Sequence, residues 1–222
     1  MSGIVVSLIL IAIIGYLWGS IPSGYWMGKL LRGKDFDIRE YGSKKTGATN
    51  VRRTLGNGPA IIVLLIDLSK GIGPALLTRY VPALNGAGWG IAVAGMTALL
   101  GHCYPIFIGF RGGRGVITGA GATLVISPLI FLIAAITAIG TIAIWRYVSL
   151  GSIVGAFTII ICGIIFRVLG WVSIPEMLFL IIGPIFVVLL HYDNIGRLLA
   201  GKERKLGQKE VVPDNSATTS HA

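Results

Sequence analysis

The chain has 222 residues, 54% of them hydrophobic and only 13% charged, with 32 glycines. A soluble domain carries roughly 25% charged residues, so a water-soluble fold is excluded and a multi-span helical membrane protein is expected. The net charge of +10 does not indicate nucleic-acid binding, because the basic residues sit in short loops between apolar runs, where Lys and Arg set orientation.

The apolar runs are unbroken rather than alternating, which argues against an outer-membrane barrel. The first runs from the N-terminus to Trp18 with no Lys or Arg before it, so it lacks the basic region of a secretory signal peptide. The first positive charge is Lys29. That order places the N-terminus outside and the next segment, to about Gly58, in the cytoplasm.

Within that segment lies Gly42 to Arg53, reading GSKKTGATNVRR, polar and punctuated by glycine. Exposed backbone N–H groups with Lys and Arg heads are what a phosphate needs. A second span is expected from Pro59 to Tyr80. It contains Asp67 and Lys70, three residues apart on one helix face and able to pair. An ionisable residue inside a span is a functional candidate, and Lys70 is expected to reach a polar pocket near the cytoplasmic face.

A third span is expected from Gly86 to Phe110, holding His102 and Pro105, and the loop FRGGRGVIT follows. Arginines beside glycines just before a helix form a second anion site. It is not a Walker loop. Val116 to Ser127 and Pro128 to Trp145 are read as two spans joined by a tight external turn at Ser127-Pro128. The first is short, since twelve helical residues reach about 18 Å. Arg146-Tyr147-Val148 turns inside, a span runs to Phe166, Arg167 to Ser173 is external, and a last span covers Ile174 to Leu190.

The fold class expected is therefore all-α and integral to the membrane, with seven transmembrane helices, the N-terminus outside and the C-terminus cytoplasmic. Sixteen of the nineteen Lys and Arg then fall inside, and only Arg79 and Arg167 outside. One domain is expected over residues 1–210, with a disordered polar tail at 211–222. There is no internal repeat of the kind many transporters carry.

This topology puts four polar segments on one face: Gly42 to Arg53, Phe110 to Thr118, Ser149 to Ser152, and His191 to Arg197. His191 and Asn194 share a helix face at a three-residue spacing, and histidine serves as base or donor near neutral pH. No GxSxG or HExxH motif occurs. Cys103 and Cys162 lack metal-ligand spacing, so no metal and no cofactor is expected. A transporter or channel for a phosphate-bearing solute is the alternative class, resting on Asp67 and Lys70 within a span.

Six separated segments in order give the chain a resemblance to a known family. They are GSIPSGYWMGKL, DIREYGSKKTGATNVRRTLG, DLSKG, GHCYPIFIGFRGGRGVIT, SLGS and HYDNIGRLLAGKERK. Together they resemble the bacterial membrane acyltransferases that move an acyl group from acyl phosphate to glycerol 3-phosphate. The resemblance implies seven spans in the inner membrane, a site facing the cytoplasm, and lysophosphatidic acid as product of phospholipid biosynthesis. Its implied partners are glycerol 3-phosphate, acyl phosphate, membrane lipid and the enzyme that makes acyl phosphate. Matched position by position, it implies substrate-binding roles for Gly47, Thr49, Asn50, Arg53, Lys70, Gly112, Gly113, Arg114, Gly115, Ser149 and Ser152. It implies catalytic roles for Ser43, His191 and Asn194. The family pattern has Asn where Lys45 stands and Lys where Arg114 stands, and Arg does not copy Lys in geometry or proton transfer. Acyltransferases that use thioesters rely on HxxxxD instead; here Phe107 and Gly196 stand at the acid position.

On chemistry alone, an acyl phosphate is an activated anhydride and needs no enzyme nucleophile. Positioning and oxyanion stabilisation suffice. Ser43 and Asn194 are candidates for the oxyanion contact, and His191 for orienting the glycerol hydroxyl or taking its proton. The small-residue run Gly119 to Thr123 suits close helix packing or room for an acyl chain.

Overall fold

The computed structural model describes residues 2–208, so the tail expected at 211–222 lies outside the described residues. Among those residues there are ten α-helices and no strand. They are α1 (Ser2–Gly19), α2 (Ser23–Arg32), α3 (Ala48–Leu55), α4 (Asn57–Tyr80), α5 (Gly90–Cys103), α6 (Val116–Ile126), α7 (Pro128–Trp145), α8 (Val148–Val168), α9 (Ile174–Leu189) and α10 (Tyr192–Leu199).

Five segments are long and apolar enough to cross a membrane: Ser2–Arg32, α4, Gly90–Ile108, α7 and α8. α9 and α10 pass that test only together and are bent by 58°. The remaining expected span is α6, a helix of 11 residues, which reaches about 16 Å against a hydrocarbon core of about 30 Å. The chain is therefore all-α and integral to a membrane, with five or six long spans and one short apolar helix. Ile9, Ile13, Ile61, Leu65, Ile136, Phe157 and Ile161 are exposed, as lipid-facing side chains are.

The helix ends follow local chemistry. Ser127 caps α7 by accepting from the Ile130 N–H at 3.3 Å, with Pro128 at the first helical position. Ser173 and Glu176 form a reciprocal capping box at the start of α9. α5 ends at Cys103 rather than running to Phe110. Tyr104-Pro105 breaks it, since proline has no N–H to continue the ladder. The segment after α1, expected in the cytoplasm, contains two short helices, α2 and α3.

Close approach of α4 and α6 fixes the site. A Cβ at Gly71 would overlap the Thr118 carbonyl, and one at Gly121 would overlap the Leu68 carbonyl. Small residues at such crossings let backbones touch where lipid gives no hydrophobic drive. Ile38, Val51, Ala60 and Val63 form a small core beneath the polar loop. Leu99, Cys103 and Val187 form another where α5 meets α9.

Candidate active site

Asn50 builds the first anion loop. It is 1% exposed, and its side chain ties the loop into one unit. Its Nδ2 donates to the carbonyls of Lys45 at 2.9 Å, Tyr41 at 3.1 Å and Ile38 at 3.2 Å, while its Oδ1 accepts the Ser43 N–H at 2.8 Å. Gly42 stands at φ 57 against that amide, where a Cβ would overlap Oδ1. With its hydrogen bonds spent on the loop, Asn50 shapes the site from the edge. The first turn of α3, with Gly47 at its start and Thr49 on it, then opens toward the cavity, and Arg53 follows one turn later.

The second loop, residues 111–115, folds back on the end of α5. Gly112 N–H donates to the Cys103 carbonyl and Gly113 N–H to the His102 carbonyl, both at 3.1 Å. Gly115 adopts φ 76, a left-handed conformation that favours glycine, and leads into α6. Arg114 is half-buried. Its Nε donates to the Leu190 carbonyl at 3.2 Å, and no carboxylate among the described residues lies in ion-pair reach. Burial first, then Arg197, pulls its pKa below the ordinary value. A buried guanidinium of this kind calls for an anion.

His191 and Asn194 come from the bend between α9 and α10. His191 is 3% exposed and its Nδ1 donates to the Val187 carbonyl at 2.8 Å, since a carbonyl only accepts. That leaves Nε2 as a lone-pair acceptor. Burial pushes its pKa down to about 4, against a smaller upward pull from the Val187 hydrogen bond, so it is neutral at pH 7. Asn194 Nδ2 donates to Glu203 Oε1 at 2.7 Å. Its Oδ1 is buried and without a partner among the described residues. The carboxylate neighbour fixes that orientation, because it accepts and never donates.

Glu203 was not singled out by the sequence. Its Oε1 also accepts Ser149 Oγ–H at 2.9 Å, and its Oε2 accepts Arg197 Nε at 2.8 Å. Burial pushes its pKa up, but hydrogen bonds from Asn194, Arg197 and Ser149 outweigh that and hold it below the ordinary value. Ser152 Oγ donates to its own helix, to the Val148 carbonyl at 2.9 Å.

These elements enclose one cavity of about 390 Å³. Of the residues expected from sequence, Ser43, Gly47, Thr49, Asn50, Arg53, Arg114, Gly115, Ser149, Ser152, His191 and Asn194 all line it. Lys45, Asp67, His102 and Glu203 line it as well. Gly112, Gly113 and Lys70 do not. Lys70 is 2% exposed; its Nζ donates to Asp67 Oδ1 at 2.6 Å and to Ser23 Oγ at 3.3 Å. Asp67 and Lys70 thus neutralise each other inside the helix bundle.

A second cavity of about 300 Å³ adjoins the first, sharing Val116, Ile117, Ile139, Ile142, Val148 and Ser152 as common wall. It is apolar and runs between α6, α7, α8 and α9. Its wall runs along α8 from Val148 to Ile159, or about 16 Å of helix. A polar chamber, whose Arg114 has no carboxylate in ion-pair reach among the described residues, thus adjoins a narrow apolar slot.

The chain is similar to known proteins in sequence and in fold. A family model described as glycerol-3-phosphate acyltransferase matches residues 9–201. A glycerol-3-phosphate acyltransferase of Synechococcus elongatus is 38% identical over 208 residues, covering 91% of this chain and 96% of the relative. One from Thermoanaerobacter sp. is 41% identical over 204 residues, covering 92% and 98%. The crystal structure of PlsY, an integral membrane glycerol 3-phosphate acyltransferase, in its glycerol 3-phosphate form is 34% identical with a TM-score of 0.78, covering 90% of this chain and 96% of that one. A lysophosphatidic acid form of PlsY aligns with a TM-score of 0.76 at 33% identity, covering 91% and 96%. The chain belongs to the glycerol-3-phosphate acyltransferase family.

Proposed function

We propose that this protein transfers a fatty acyl group from acyl phosphate to the 1-hydroxyl of glycerol 3-phosphate, giving lysophosphatidic acid and phosphate. The observation that carries this reading is the joined pair of cavities. One is polar, with Arg114 lacking a carboxylate partner among the described residues, and the other apolar, with a shared wall at Val116, Ile117, Ser152 and their neighbours. Both substrates carry a phosphate and one carries an acyl chain, which is what the pair accommodates.

Arg114, with Arg53, Lys45 and the N-terminal turns of α3 and α6, holds the phosphates. The acyl chain lies in the slot. The glycerol hydroxyl attacks the acyl carbonyl carbon, a C–O bond to glycerol forms, and the C–O bond to phosphate breaks. His191 Nε2 and Asn194 Oδ1, both acceptors in the structure, hold the glycerol hydroxyls. Asn194 was expected as an oxyanion donor. Its amide nitrogen faces Glu203 instead, so that role falls to Ser43 Oγ–H and the first N–H groups of α6. His191 is tied through Nδ1–H to the Val187 carbonyl and held neutral by burial, while the departing phosphate carries away the electron pair of the broken C–O bond. The hydroxyl proton therefore goes to phosphate, and His191 orients.

Topology belongs to the same proposal. The five long spans, α9 and α6 together make seven, with α10 turned away from α9 by the 58° bend at His191. The Lys and Arg asymmetry supports an outside N-terminus and a site on the cytoplasmic face of the inner membrane. Acyl phosphate, surrounding lipid and the enzyme that makes acyl phosphate are the proposed partners, besides glycerol 3-phosphate. The test is purified protein in detergent with glycerol 3-phosphate and, in turn, acyl phosphate, acyl-CoA and acyl carrier protein. Acyl phosphate alone is consumed; turnover with either thioester overturns the donor assignment.

A further inference from the structure

We propose that His102 is a positioning residue for the reaction. Its imidazole supports loop 111–115 so that Arg114 reaches the polar cavity, and the Asp67–Lys70 pair with Ser23 sets the ring. The inference rests on the reading that Arg114 holds a substrate phosphate.

The loop meets His102 at two points. Its Gly113 N–H donates to the His102 carbonyl at 3.1 Å. On the side-chain side, a Cβ at Gly113 would overlap His102 Nε2, and one at Gly112 would overlap the His102 carbonyl. The loop backbone thus lies directly on this one residue. Arg114 is next in the chain.

The far edge of the ring meets a charged cluster. His102 Nδ1 is 3.5 Å from Lys70 Nζ and 3.6 Å from Asp67 Oδ1. Ser23 Oγ donates to the same Asp67 oxygen at 2.6 Å. Thr118 Oγ1 donates to the Asp67 carbonyl at 3.0 Å, joining α6 to the cluster. Asp67, Lys70 and His102 are 1%, 2% and 7% exposed. The imidazole therefore bridges α4 on one edge and the anion loop on the other. A misplacement of about 1 Å in such a support costs on the order of 100-fold in rate.

The two ring nitrogens separate the functions. In His102→Gln an amide nitrogen reaches the position of Nε2 and still meets the loop. In His102→Asn the side chain ends near Nδ1 and leaves a gap under Gly113. Both are tested in the full chain in detergent, in the native and Arg114→Gln backgrounds, by kcat/KM and Tm. His102→Asn is expected to lower kcat/KM on the order of 30-fold, and His102→Gln to recover most of that loss. In the Arg114→Gln background, His102→Asn is expected to cost no more than about 3-fold further, since its effect passes through Arg114.

Full multiplication of the two losses overturns the proposal while leaving the Arg114 reading intact. So does equal loss in both His102 variants, or activity that falls only with the folded fraction. An Arg114→Gln enzyme with normal kcat/KM overturns the Arg114 reading itself and the proposal with it.

Discussion

Replacing Arg114 by Gln separates binding from folding. The guanidinium has one protein acceptor, the Leu190 carbonyl at 3.2 Å, and no carboxylate in reach among the described residues. On the proposed reading its remaining donors serve a bound phosphate. Each hydrogen bond to a charged group is worth about 1.5–3 kcal/mol, so losing one or two removes roughly 2–4 kcal/mol from the transition state. At 1.36 kcal/mol per decade, kcat/KM falls by roughly 30- to 1000-fold. Stability moves the other way. An uncompensated half-buried cation is a cost to the folded state, so removing it leaves Tm unchanged or raises it by a few degrees. Steady-state kinetics on purified enzyme, beside a thermal melt in the same detergent, read both. A variant within about threefold of the parent kcat/KM, or one whose lost activity matches a lower Tm, would refute this reasoning. Arg114→Lys keeps charge but not the planar fork, and falls between the two.

Three further outcomes follow from the geometry. Ala135→Phe fills the apolar slot, and the preferred acyl donor becomes shorter, as competition between donors of different chain length would show; an unchanged preference places the chain elsewhere. Glu203→Ala strands Ser149, Asn194 and Arg197, whose bonds it accepts. A loss of roughly 2–4 kcal/mol lowers Tm by more than about 5 °C. His191 has a folded pKa of about 4 against about 6.5 unfolded. Between those values the unfolded chain binds more protons, so stability falls as pH drops from about 6.5 to 4, by about 3 kcal/mol in all. His191→Leu flattens that slope in chemical-denaturation curves; an unchanged slope assigns it to other groups.

Much of this was legible because the segments are long or chemically marked. Apolar runs gave the helices, and Ser127-Pro128 gave a capped turn where the structure has one. The polar loops converge as expected because each lies at a helix end. Short helices were harder. α2, α3 and α10 have only 10, 8 and 8 residues, too few turns for periodicity to stand out from loop composition. Asn50 looked like a ligand and is first a loop organiser, since spacing does not reveal which carbonyls its amide meets. Lys70 was expected in the pocket; α4 turns it inward, toward Ser23 of a distant helix. Glu203 sits in the basic run GKERK, where it reads as one more surface charge. Its signal was being the lone acid there, and only the fold shows what it accepts.

If headgroup and chain occupy adjoining cavities at the α6–α9 end of the bundle, the chain terminus lies within the apolar slot. An unreactive acyl-phosphonate analogue of acyl phosphate with a diazirine at the chain terminus tests it, by photolysis followed by mass spectrometry. Labelling is expected at Phe131, Ala135 and Ile159, and is lost in the Ala135→Phe variant. Labelling on the outer faces of α1 or α4, at Ile9, Ile61 or Leu65, would contradict it.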